Sequence, residues 1–186
     1  MSDAEPLVGE PLALDLVNTR PIDADLLETP EQLAQWLRLE ADRLPEPPPA
    51  HPARADLAAV REVREHLAAV LDALLHDRQP PASALRGLNA AQSAAPAIRQ
   101  LRWHEGTLTA TQHRAGASGV RLAATLAEAA VELLADPAIA RLKRCAAHDC
   151  VMLFLPAHPR RQWCSPDRCG NRARVARYYQ RHKGTD

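Results

Sequence analysis

Apolar positions along much of the chain recur at helical spacing. From Ala55 to His76, Leu57, Val60, Leu67, Val70, Leu71 and Leu74 fall on one face with Arg61, Glu62 and Glu65 between them, which predicts a long amphipathic helix. Pro80-Pro81 ends it, and a shorter helix is predicted over Ala82 to Ala91. A broad apolar stripe through Leu122, Leu126, Val131 and Leu134 predicts another helix, capped by Ser118 and ending at Asp136. Thr29-Pro30-Glu31-Gln32 is a capping box with Pro at the first helical position, opening a short helix that buries Leu33, Trp36 and Leu37. Two stretches alternate instead. Ile98 to Trp103 and Thr107 to His113 flank Glu105-Gly106 and predict a β-hairpin. Leu12 to Val17, apolar except for Asp15, reads as a strand closed by Asn18 and Thr19. Pro45 to Pro52 is a stiff connector rather than a boundary, because too few residues precede it to fold alone.

The 186 residues, 46% of them hydrophobic, suffice for one full domain and a small appended one. No apolar run approaches the roughly 20 residues that span a bilayer, so no membrane partner is expected. The opening MSDAEPLVGE has neither the basic nor the apolar segment of a signal peptide, which points to the cytoplasm and reduced thiols.

All four cysteines lie in the last quarter as Cys145-x4-Cys150 and Cys164-x4-Cys169. Two close pairs separated by a short loop form the ligand pattern of a closed structural Zn²⁺ site, whose four thiolates leave no coordination position for catalytic water. Disulfides, redox chemistry and chance remain the alternatives. Ser165-Pro166-Asp167 is a helix start, and Arg168 to His182 reads as one helix carrying Cys169 in its first turn. Val151 to Leu155 is a short apolar strand, with Phe154 and Trp163 as the small core beside the metal. A knuckle, a strand pair and a helix supplying the last ligand make a treble-clef finger. The expected fold class is therefore α+β: a helix-rich domain with a hairpin over residues 1–136, then the finger over 137–186.

Charge divides at the same place. Residues 137–186 hold eleven Lys and Arg against three acids, a balance of +8, whereas residues 1–136 carry −8. Such a split favours an anionic partner for the finger, duplex DNA first. On the finger helix Arg174, Arg177 and Arg181 form a stripe flanked by Asn171, and Arg160-Arg161 add to it. Arginine grips phosphates or guanine edges and asparagine pairs with adenine.

Trp163-Cys164-x4-Cys169-Gly170-Asn171-Arg172 resembles the signature of CGNR-type zinc fingers, and Gly9-Glu10-Pro11-Leu12-Ala13-Leu14-Asp15-Leu16-Val17-Asn18-Thr19 resembles the opening of the ABATE-type domain that precedes them. The resemblance covers essentially the whole chain. It implies a bacterial stress-induced transcription regulator, metal roles for Cys145, Cys150, Cys164 and Cys169, a nucleic-acid role for Asn171 and Arg172, and an N-terminal domain that senses a ligand. Pro156-Ala157-His158 departs from the Asp-x-Ser expected after the Phe-containing strand.

Asn18, Thr19, Trp36 and Trp103 are the candidate lining of a small-molecule pocket, against a plain structural reading of the same residues. An enzyme is not expected: no phosphate loop, nucleophile elbow, metalloprotease helix or paired carboxylates occur. A zinc module that grips RNA or protein without sequence-specific DNA contact is the alternative, and association between copies is left open.

Overall fold

In the computed structural model, the described residues run from 8 to 175. The element order is α1 (Leu12–Val17), α2 (Pro30–Leu39), α3 (Arg54–Leu75), α4 (Ala82–Ala94), β1 (Ile98–His104), β2 (Thr107–His113), α5 (Ser118–Ala135), β3 (Lys143–Arg144) and β4 (Leu153–Phe154). The helix-rich α+β architecture is the expected one. Helices α3, α4 and α5 pack on one another around Val60, Leu67, Leu71, Leu88, Leu126 and Ala130, with α1 laid against α3 and α5.

Several starts follow directly from local chemistry. Thr29 caps α2 by accepting from the Gln32 amide, and the Gln32 side chain returns the bond to the Thr29 amide at 2.9 Å. Glu105 and Gly106 both have positive φ, 47° and 81°, as a two-residue type I′ turn demands, so the hairpin closes where expected. Its base is pinned by Arg114, a buried guanidinium that donates to the Ala95 carbonyl and to Glu128 on α5.

Two expectations fail. Residues 12–17 are a helix, not a strand: Ala13, Leu14, Asp15 and Leu16 are all buried, and a short run buried on every side carries no period that separates the two. Ser118 is the first residue of α5 rather than its cap. Its hydroxyl donates to Asp56, which also accepts from the Ala53 amide, so one buried carboxylate joins the starts of α3 and α5.

Candidate metal centre and nucleic-acid interface

The finger is built on the short antiparallel pair β3–β4, with Lys143 opposite Phe154 and Arg144 opposite Leu153. Cys145 and Cys150 bracket the turn between the strands, and the Cys145 amide donates to Met152 across it. Ser165 caps the next helical turn, accepting from the Arg168 amide, with Pro166 at its first position. That turn, Pro166–Gly170, is wider than an α-turn and carries Cys169; the backbone is helical over 171–175. The expected continuation to His182 lies outside the described residues, as do Arg177 and Arg181.

The four Sγ atoms lie within 4.8 Å of one another, with Cys150–Cys164 at 3.8 Å and Cys164–Cys169 at 3.6 Å. A tetrahedron with Zn–S of about 2.3 Å has edges of about 3.8 Å, so the sulfurs stand where zinc requires them. Left to themselves the thiols cannot all ionise. The hydrogen bond from Cys164 pulls Cys150 down to about 5, while the same contact and burial push Cys164 up and burial pushes Cys169 up to about 11. A dication reconciles four thiolates in one place, and the Zn²⁺ it names is structural. Phe154, Met152 and Trp163 pack around the cysteines as the small core expected there. Arg172 adds an outer contact, donating to Cys169 Sγ at 3.3 Å and pairing with Asp149 at 2.9 Å.

The finger is sewn to the helical domain. Asn18 at the end of α1 donates from Nδ2 to the Leu153 carbonyl at 2.9 Å and accepts from the Leu153 amide at 2.8 Å, both bonds buried. Leu153 itself enters the core of the helical domain. Glu10 accepts from the Leu155 amide through one carboxylate oxygen and from Arg161 through the other. Arg161 also donates to the carbonyls of Trp163 and Cys164 and lies 4.5 Å from the Phe154 ring centroid. Arg161, expected among the DNA-contacting residues, has its guanidinium engaged by the seam and by the finger's own backbone.

Behind Glu10 sits a second polar group. Asp15 accepts from the Gly9 and Glu10 amides and from Arg43, which also reaches Glu40 at 2.6 Å. Burial, reinforced by the Asp15 charge and opposed by Arg43, pushes Glu40 up to about 7. A folded-state value above the unfolded 4.5 means that the favourable contribution of neutral Glu40 is complete below about pH 4.5 and is lost as pH rises through about 7. Denaturant midpoints between pH 4.5 and 8 should therefore fall less steeply for Glu40→Gln than for the wild type. An unchanged slope would remove Glu40 from the titration.

The four candidate ligand residues are not gathered into one pocket. Trp36 is fully buried core, whereas Trp103 stands 70% exposed on β1. Thr19 is buried, donating to the Leu16 carbonyl and accepting from Arg64, and Asn18 is occupied by Leu153. What exists beside Asn18 is a cleft of about 210 Å³ on the seam, lined by Arg20, Arg64, Asp72 and Ala68 from the helical domain and by Arg144 and Val151 from the finger. On the outer surface Arg160, Asn171 and Arg174 are exposed, with Arg174 donating to Asn171 Oδ1 at 2.8 Å.

The sequence does not announce Glu10, Arg43 or the seam role of Asn18. Glu10 and Asn18 both lie in the N-terminal motif of residues 9–19, but a single sequence does not say which distant backbone a polar side chain will meet.

Fold and site together define a helical domain carrying a four-cysteine zinc finger. Residues 10–137 match the ABATE family, described as "Putative stress-induced transcription regulator", and residues 141–182 match the CGNR zinc finger. The chain belongs to the ABATE family, with a CGNR finger at its C-terminal side. Both families are of regulator and zinc-finger type. The comparison with curated proteins gave no match. Among the described residues, no helix is long and apolar enough to cross a membrane.

Proposed function

We propose that the protein is a cytoplasmic transcription regulator that binds duplex DNA through the outer face of its finger. The observation that carries this reading is the segregated charge: residues 137–186 carry +8 in the sequence, and among the described ones Arg160, Asn171, Arg172 and Arg174 are exposed on the four-cysteine finger. Zinc in this scheme holds the shape of the reading head and takes no part in chemistry, and no catalytic role is assigned to the chain.

Affinity for duplex DNA should fall steeply with salt, by about 0.9 in log K per unit log salt for each phosphate neutralised. Replacing Arg174, Arg177 and Arg181 together by Gln in the full-length, zinc-loaded protein should lower that slope by up to three such contributions, about 2.7. An unchanged slope and affinity would overturn the assignment. Arg161→Gln, by contrast, should act mainly through stability, since its donors face inward.

Ligand sensing belongs to the same proposal, relocated to the seam cleft. A small molecule seated among Arg20, Arg144 and Val151 would touch both domains and so bias how the finger is held. Filling the cleft with Ala68→Trp should abolish any thermal shift found in a metabolite screen of the wild type.

A further inference from the structure

The β-hairpin carries exposed large apolar side chains on both strands. Ile98, Leu101, Trp103 and Leu108 are 60–72% exposed, and no third strand joins β1 or β2 among the described residues. An isolated two-stranded hairpin is marginal in water and needs a further strand or a packed layer. A bare apolar face that includes a tryptophan marks an interaction surface.

The register shows what fits there. Arg99, Leu101 and Trp103 share one face of β1, opposite Gln112, Ala110 and Leu108 of β2. His104 and Thr107 flank the two-residue turn and so form a hydrogen-bonded pair; alternation along the ladder then points the free N–H and C=O groups of Arg99, Leu101 and Trp103 outward, away from β2. The outer edge of β1 thus carries its backbone valences on the residues that form the apolar face. The edge of β2 is less available, because Gln112 reaches Glu128 on α5.

We infer that the outer edge of β1 pairs with the β1 of a second copy of this chain, antiparallel about a two-fold axis through Leu101. Leu101 is the midpoint of Ile98–His104, so this register overlaps the whole strand. It places the two Leu101 side chains on the axis and sets Arg99 of each copy directly opposite Trp103 of the other. A guanidinium over an indole is a favourable cross-strand pair, and it occurs twice. Arg99 has no ion pair of its own among the described residues, which leaves it available. The neighbouring registers are worse: an axis through Arg102 opposes two like charges, and one through Gln100 sets Arg99 against Leu101 and leaves Trp103 opposite Ala97, beyond the strand. The product is a four-stranded sheet with Leu108, Trp103 and Leu101 repeated across the axis on one face. One strand edge and a few side chains bury less than the roughly 1,200 Å² of a standard stable interface, so the dimer is concentration-dependent. Its two-fold symmetry would present two fingers, but the pairing stands independently of what the fingers bind.

Sedimentation velocity on the full-length, zinc-loaded protein from micromolar to submillimolar concentration tests this. The wild type should pass from monomer to dimer. Leu101→Lys, which brings two ammonium groups together on the axis, should raise the dissociation constant by about tenfold or more. Thr109→Lys, on the opposite face of β2, the outer strand of that sheet, should leave it unchanged. Arg99→Glu and Trp103→Lys should each weaken the dimer, and the double variant Arg99→Glu/Trp103→Lys should recover it, because opposite charges then meet across both pairs. Zinc content and far-ultraviolet circular dichroism confirm that each variant is folded. A wild type that stays monomeric throughout, a dimer indifferent to Leu101→Lys, or a double variant no better than the weaker single one would each overturn the inference. Loss of DNA binding with the dimer intact would instead count against the proposed function alone.

Discussion

Chelation of the zinc is expected to unfold the finger and to lower the melting temperature of the helical domain without melting it at once. Structural zinc contributes apparent binding free energies of about 10–16 kcal/mol in finger peptides, comparable to or larger than the 5–15 kcal/mol that holds a whole domain. Removing it leaves four clustered thiols that resist joint ionisation and a small core around Phe154 too slight to fold alone. The helical domain feels the loss through Leu153, which leaves its core, at about 1.5–3 kcal/mol for a buried leucine. Cys164→Ser should behave in the same way. Calorimetry with and without chelator, alongside elemental analysis, checks both parts. Native protein free of metal, or a reducible bridge between Cys145 and Cys150, would refute the centre.

Asn18→Ala should cost about 2–4 kcal/mol, because it strips two buried bonds and leaves the Leu153 amide and carbonyl without partners, at about 1–3 kcal/mol each. For a chain of this size that lowers the melting temperature by about 5–15 °C. Asn18→Asp should not rescue: a carboxylate accepts from the Leu153 amide but turns a second acceptor toward the Leu153 carbonyl. The expected signature is a fall in midpoint with zinc still bound, since no cysteine is touched. If the midpoint of Asn18→Ala stays within a degree of wild type, the seam bond carries no weight.

Periodic and capped segments are legible from the chain's local chemistry. The stripe of Leu57 to Leu74, the Thr29 capping box, the Glu105-Gly106 turn and the paired cysteine spacings all encode their outcome in nearby sequence, and each folds where its pattern places it. Residues 12–17 mislead because burial on all sides erases the period, and the sign of a helix start there, Pro11, is weak. Long-range polar partners are not legible. Asn18 meets a backbone 135 residues away and Glu10 meets Arg161 across 151, and nothing local distinguishes such residues from turn or surface polar groups. The same blindness hides the inward bonds of Arg161: its neighbour Arg160 is exposed, and only the fold separates the two.

The paired amide of Asn18 and the carboxylate of Glu10 mean that the finger is held in a socket rather than hung on a tether. A finger exchanged between two proteins of this architecture would arrive with its metal site complete but with β4 facing a socket cut for another backbone. Chimeras should fold best when residues 10 and 18 travel with the finger they grip, making the heritable unit of recognition a discontinuous one that includes both ends of the chain's described length.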